Sequence, residues 1–193
     1  MLLKLPVPYI SQGESGNLCV PACLKMVLDF LREVTGDPKI PSLSVKRIAR
    51  IVHTGHDGTD FEDVQEINKN LEKTVPSLEF EVDPRSYQFR EIEAELAHQR
   101  PVIAWLYISD EKRACCHAAV VVGYDRVNQM IILNDPLRGE VSIKVGDLMA
   151  EWQRTEQSLI RLRLGDRLQR RITEYIEQPE AEEAMETARE QRD

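Results

Sequence analysis

By type and position together, the candidates for nucleophilic chemistry in this 193-residue sequence are its cysteines, Cys19, Cys23, Cys115 and Cys116, with His117 and Asp135. A thiol attacks a carbonyl only as its thiolate, and a helix N-terminus or a neighbouring imidazolium stabilises that form. Cys19 stands two residues before Pro21, and proline suits the first turn of a helix, where its missing N–H costs nothing. The thiol of Cys19 is therefore expected at a helix mouth, facing unpaired backbone N–H groups. Cys23 falls one turn inside, on the apolar face with Val27, where a cysteine usually packs as a small hydrophobe. His117 is read as opening an apolar strand after a charged stretch, 110–113. The chain then turns at 125–129 and returns toward His117 at about the level of Asn134 and Asp135. Gln12, on the loop before Cys19, carries an amide N–H that could meet a developing oxyanion, with the Cys19 N–H as second donor. Each residue also has a plainer reading: a packed thiol, a strand-end histidine, a turn-forming aspartate before Pro136, a solvated loop glutamine.

The elements that must position these groups follow from periodicity. Residues 2–10 alternate loosely around Pro6 and Pro8, as an extended segment or edge strand does. Apolar spacing through Leu24, Val27, Leu28 and Leu31 predicts a long helix ending near Gly36, and Val45, Ile48 and Val52 predict a second over 44–52. Thr59 and Glu62 have capping-box spacing, which predicts a third helix through Val64, Ile67 and Leu71. Strand patterns follow at 78–82, 101–108, 117–124, 130–133 and 158–164, with helices at 89–98 and around Leu148, Met149 and Trp152. Helices first and a mostly antiparallel sheet second make this an α+β domain over residues 1–165. Residues 166–193 read as a charged C-terminal helical tail that keeps helical spacing through Leu168, Ile172 and Ile176 until Pro179 interrupts it. It is expected to pack or fray, or alternatively to bind a protein partner.

The whole chain narrows the function classes. With 42% hydrophobic and 30% charged residues it has an ordinary globular composition. A formal charge of −8 argues against nucleic acid as a partner and leaves a peptide, a protein or a small molecule. No apolar run approaches the roughly 20 residues of a membrane span, and prolines break the first ten residues, so a cytoplasmic location is expected. Four clustered cysteines do not make the disulfide framework of a small secreted protein. Cys19, Cys23, Cys116 and His117 could supply soft ligands to zinc, but neither pair has knuckle spacing, and no metal or organic cofactor is expected. A vicinal disulfide between Cys115 and Cys116 remains an alternative, as a redox lock beside His117.

Three blocks together resemble the C39 and C39-like peptidases: Gln12 with Leu18-Cys19-Val20-Pro21-Ala22-Cys23, His117-Ala118-Ala119-Val120-Val121-Val122-Gly123-Tyr124, and Asn134-Asp135-Pro136. The resemblance implies a papain-like fold and a peptide or protein substrate. It makes Cys19 the nucleophile, His117 the base, Asp135 the third member and Gln12 the oxyanion-hole glutamine, with Cys23 outside the chemistry. Val20 departs from the glycine usual after the family's nucleophile, and its branched side chain is expected to restrict the backbone or crowd a substrate. The alternatives are a catalytically silent peptide-binding module and a papain-fold acyltransferase.

Overall fold

Strand β4 (Ala114–Asp125) is the spine of the fold, and its composition explains why. From Ala118 to Val122 every side chain is buried, as in strands covered on both faces, so the run reads as continuously apolar. The structure is a computed structural model and describes residues 2–14, 16–83, 86–109 and 114–190. The charged stretch 110–113 lies outside them.

Around β4 the described strands form a seven-stranded sheet, every pairing antiparallel. Its order is β2 (Leu78–Asp83), β7 (Leu159–Leu164), β3 (Val102–Ser109), β4, β5 (Met130–Asp135), β6 (Gly139–Lys144). The short β1 (Leu2–Lys4) pairs with β4 at Gly123, Tyr124 and Asp125. Glycine is required there: a Cβ on Gly123 would come within 2.6 Å of the Leu3 carbonyl oxygen. A register shift between Val121 and Gly123 marks the same place, where β4 bends to accept β1.

Helix α1 (Cys19–Thr35) lies on β4 with α2 (Val45–Ile51) and α6 (Asp166–Glu190) against it. It is therefore buried almost all round, and it approaches β4 closely enough for Cys23 Sγ to reach the Ala118 carbonyl at 3.4 Å. Leu24, Leu28, Phe30 and Leu31 are each worth on the order of 1.5–3 kcal/mol of burial, which seats the helix firmly enough to fix its N-terminus. Gly36, in the left-handed region, ends α1, and Arg171 of α6 donates to the Thr35 carbonyl at 2.7 Å. Ser44 caps α2 by accepting from the Arg47 N–H. Helices α4 (Phe89–Ala97) and α5 (Val145–Gln153) also pack on the sheet.

Several expectations are corrected. Thr59 does not cap a helix: its hydroxyl bonds that of Thr54 at 2.7 Å, and a 3-10 turn at Glu62–Gln65 precedes a short α3 (Glu66–Leu71). His117 lies inside β4 rather than at its start, because Ala114, Cys115 and Cys116 already pair with Ser109, Ile108 and Tyr107. Strand β6 is an addition to the strands read from the sequence. Helix α6 runs through Pro179 instead of stopping there, and its Leu168 and Ile172 are buried in the core, so this face of the tail is used within the chain.

Candidate active site

Cys19 is the first residue of α1, and the residue ahead of it, Leu18, has no side-chain oxygen with which to cap the helix. The N–H groups of the first turn are thus left for another acceptor. The backbone N–H groups of Val20 and of Ala118 from β4 lie near the Cys19 sulfur and favour its charged form. Helix mouth and central strand together face the thiol with backbone donors.

From β4, His117 meets Cys19, and the two side chains are hydrogen-bonded. Its Nε2 takes the Asp135 Oδ1 at 2.8 Å, which leaves the other ring nitrogen for the thiol. The level of this contact is set by β4–β5 pairing, in which Asn134 stands opposite Val120 and brings the end of β5 back along β4. All three side chains are nearly closed off, with relative exposures of 8% for Cys19, 4% for His117 and 0% for Asp135. Asp135 also accepts from the main-chain N–H groups of Leu137 at 2.8 Å and Arg138 at 3.1 Å, and from Arg138 Nε.

Burial alone would push the Cys19 thiol up, but the hydrogen bond to His117 and the imidazolium charge outweigh it and hold the thiol below its ordinary value. Burial likewise opposes a charged His117, yet the bonds to Asp135 and Cys19 push it up to about 9. Asp135 is held well below the usual carboxylate range: the His117 and Arg138 interactions outweigh its burial. These directions favour proton transfer from the thiol to the imidazole, toward a thiolate–imidazolium pair. Cys23 is the contrast. Fully buried and near Cys19 and Asp135, it is pushed well above the ordinary thiol value, and its Sγ donates to the Ala118 carbonyl at 3.4 Å.

Gln12 is drawn to the same end of the fold. Its N–H donates to the Pro136 carbonyl at 3.0 Å, one residue beyond Asp135, and Asn134 Nδ2 bonds the Val7 carbonyl at 2.9 Å in the same segment. The Gln12 side chain is buried. Beside Cys19 opens a cleft of about 90 Å³, with Val20, Gly58, Thr59 and Trp105 among its walls. Asn17 closes one end by bonding the Gly55 carbonyl at 2.7 Å, and Phe61 stacks edge-on against Trp105. Cys115 and Cys116 lie on the rim, and none of the four cysteines is disulfide-bonded. No cluster of three His, Cys, Asp or Glu side chains suited to a metal occurs among the described residues, so the zinc alternative gains no support. The same residues contain no helix long and apolar enough to cross a membrane.

The Peptidase_C39 like family matches residues 4–160, the greater part of the chain. The chain belongs to this family. Among solved structures, a protein of Bacillus anthracis assigned as a C39-like peptidase aligns over 84% of this chain and 97% of its own, at 14% identity and a TM-score of 0.64. The peptidase domain of Streptococcus ComA, a bifunctional ABC transporter of a quorum-sensing pathway, aligns over 84% and 99%, at 19% identity and a TM-score of 0.57. A double-glycine-motif protease of an AMS/PCAT transporter, solved with its leader peptide, aligns over 84% and 94%, at 17% identity and a TM-score of 0.59. These likenesses establish the α+β, papain-like fold. No curated protein matches the sequence.

Within this C39-like frame, Val20 is corrected. It sits in helical backbone, where no glycine conformation is needed, so it does not strain the turn, while its nearly buried side chain stands in the wall of the cleft. Arg138 is the residue that sequence reasoning missed. An arginine three positions after an aspartate across a turn was a usable signal, since that spacing brings the guanidinium back onto the carboxylate.

Proposed function

We propose that this chain is a cysteine peptidase that hydrolyses a peptide bond in a peptide or protein substrate through an acyl-enzyme. The observation that carries the reading is the hydrogen-bonded chain Cys19–His117–Asp135 at the mouth of α1, with the thiol held down and the imidazole held up in proton affinity. The thiolate of Cys19 adds to the carbonyl carbon, and the carbonyl π electrons move to oxygen. The Cys19 N–H and the Gln12 amide serve that oxyanion as donors. As the C–N bond breaks, the departing amine takes the proton of His117, leaving a thioester on Cys19. Water then gives His117 a proton as it attacks the thioester, and the thiolate leaves. Asp135 holds the imidazole in one orientation and favours its charged form throughout.

A peptide ligand gains support from the leader peptide bound to the double-glycine protease of the same fold. The silent-module alternative drew on Val20, whose helical setting removes the backbone half of that motive while its place in the cleft wall keeps the other half. We assign the peptidase unit to residues 1–165 and treat 166–193 as its C-terminal extension.

The test is the rate of iodoacetamide alkylation at each cysteine against pH, read by peptide mass spectrometry, on the native protein and on His117→Ala. Cys19 is expected to react well below the thiol reference of about 8.5 and to return toward that value without His117. Digestion of a peptide library then tests turnover. If all four cysteines titrate as ordinary thiols, the nucleophile assignment is wrong.

A further inference from the structure

The carboxylate of Asp135 is gripped at both oxygens. On Oδ1 the main-chain N–H groups of Leu137 and Arg138 join His117 Nε2, at 2.8, 3.1 and 2.8 Å. Bonds to one oxygen leave a carboxylate able to turn about that oxygen, and a turn of that kind swings the lone pair out of line with the imidazole. Arg138 Nε bonds the second oxygen, Oδ2, and removes the freedom. The guanidinium is braced in turn by Glu151 of α5, Nη1 to Oε1 at 3.5 Å. It is one-third exposed while Asp135 is fully enclosed, so it closes the solvent side of the carboxylate.

We propose that Arg138 is a positioning residue: braced by Glu151, it locks the plane of the Asp135 carboxylate so that Oδ1 stays aligned on His117 Nε2. It acts through Asp135 and touches no reacting atom. The titratable and charged groups that face the carboxylate are Cys19 and the protonated Cys23 from α1, His117 from β4, Arg138 from the turn between β5 and β6, and, through Arg138, Glu151 from α5. Removing Arg138 has two consequences for Cys19, and both act in one direction. A loosened imidazole bonds the thiolate less well, and a positive charge is lost, so the thiol gains proton affinity. The effect on catalysis rests on the peptidase reading above, whereas the effect on the His117–Asp135 bond does not.

The experiment compares Arg138→Met and Arg138→Lys with the parent by two readouts. The first is the ring N–H proton of His117 in 15N-histidine-labelled protein carrying Cys19→Ala. A proton bonded to Asp135 should be shifted downfield and protected from exchange, and Arg138→Met is expected to speed its exchange about tenfold or more. Arg138→Lys keeps the charge and one donor and should fall between. The second readout is the acid limb of Cys19 alkylation, expected to rise by on the order of one pH unit in Arg138→Met. A lowered melting temperature with both readouts unchanged overturns the proposal, because the main-chain donors then position Asp135 alone. Should Arg138→Met not fold, unchanged readouts in Arg138→Lys, which loses the bridging fork to Glu151, overturn it equally. An ordinary Cys19 thiol in the parent, together with a His117 proton that responds to Arg138, supports the positioning role and overturns the peptidase reading instead.

Discussion

Cys19 and Cys23 lie one helical turn apart on α1, both buried and both near the Ala118 backbone of β4. Burial acts on the two thiols in the same sense, against the thiolate. What separates them is their partners. Cys19 stands at the helix mouth with backbone donors and an imidazolium, whereas Cys23 meets a carbonyl oxygen and the negative charges of Cys19 and Asp135. One turn of helix thus moves a thiol from a site that favours charge to one that refuses it. Burial alone does not set the proton affinity of a thiol here, and on the proposed reading it is the neighbour's charge that singles out Cys19 as the nucleophile.

The largest way to break the contrast is to delete each thiol in turn. Cys19→Ala should lower kcat/KM on any cleaved peptide by on the order of 1,000-fold or more, since the nucleophile itself is gone. Cys23→Ala should stay within about threefold of the parent and cost about 1 kcal/mol in urea unfolding for the small void it leaves. Loss of turnover in a folded Cys23→Ala protein would exchange the roles assigned to the two cysteines. Asp135→Asn sharpens the same contrast more gently. It keeps a side chain of the same shape but withdraws the negative charge, so His117 loses proton affinity and the alkaline limb of the rate profile should move down from about 9. The rate on the plateau should fall by on the order of 10- to 100-fold. An alkaline limb that stays in place would mean that Asp135 does not set the charge of His117.

How far this contrast was legible in the sequence depends on how local its cause is. Pro21 marked the helix mouth and so distinguished Cys19 from Cys23, because proline's preference for a first turn belongs to the residue itself. The return of Asp135 toward His117 was legible at the level of strands, as the pairing of Val120 with Asn134 bears out. The position of His117 was misread by a few residues, because Cys115 and Cys116 are exposed and give no apolar signal for the strand they extend. Strand β6 escaped for a similar reason: its exposed Glu140, Ser142 and Lys144 alternate with only half-buried residues, a weak pattern for a sheet edge. Thr59 has the spacing of a cap but is taken by Thr54, a contact fixed by the glycine hairpin at Gly55 and Gly58 that no capping rule foresees. Pro179 lies within a helix despite removing an N–H donor, a local cost that left no trace in how far α6 runs.

The smallest effect is also the most discriminating, because it follows protons rather than rates. His117 is raised in the fold to about 9 from about 6.5 in an unfolded chain, so the stability it contributes is fully present below about pH 6.5 and is lost as pH rises through about 9. Cys19 is lowered, so its contribution has the opposite sense: fully present above about pH 8.5 and lost as pH falls through its folded value. Wherever the folded Cys19 has ionised and the unfolded one has not, the proton that Cys19 gives up in the fold offsets the one that His117 keeps. The two contributions therefore oppose each other, and the unfolding free energy of the native protein should change less with pH than that of a protein keeping His117 alone. Cys19→Ala leaves the histidine without its compensating thiol. Asp135 still raises it, so the unfolded chain releases a proton that the folded chain keeps, and stability should decline with rising pH by up to about 1.4 kcal/mol per pH unit. Cys23→Ala should track the native protein below about pH 8.5, because Cys23 is protonated in both states there. Urea unfolding of the three proteins at intervals from pH 6.5 to 8.5 measures the difference directly. A Cys19→Ala profile that parallels the native one would mean that Cys19 keeps its proton in the fold across this window, and the two cysteines of α1 would then differ in access to solvent rather than in charge.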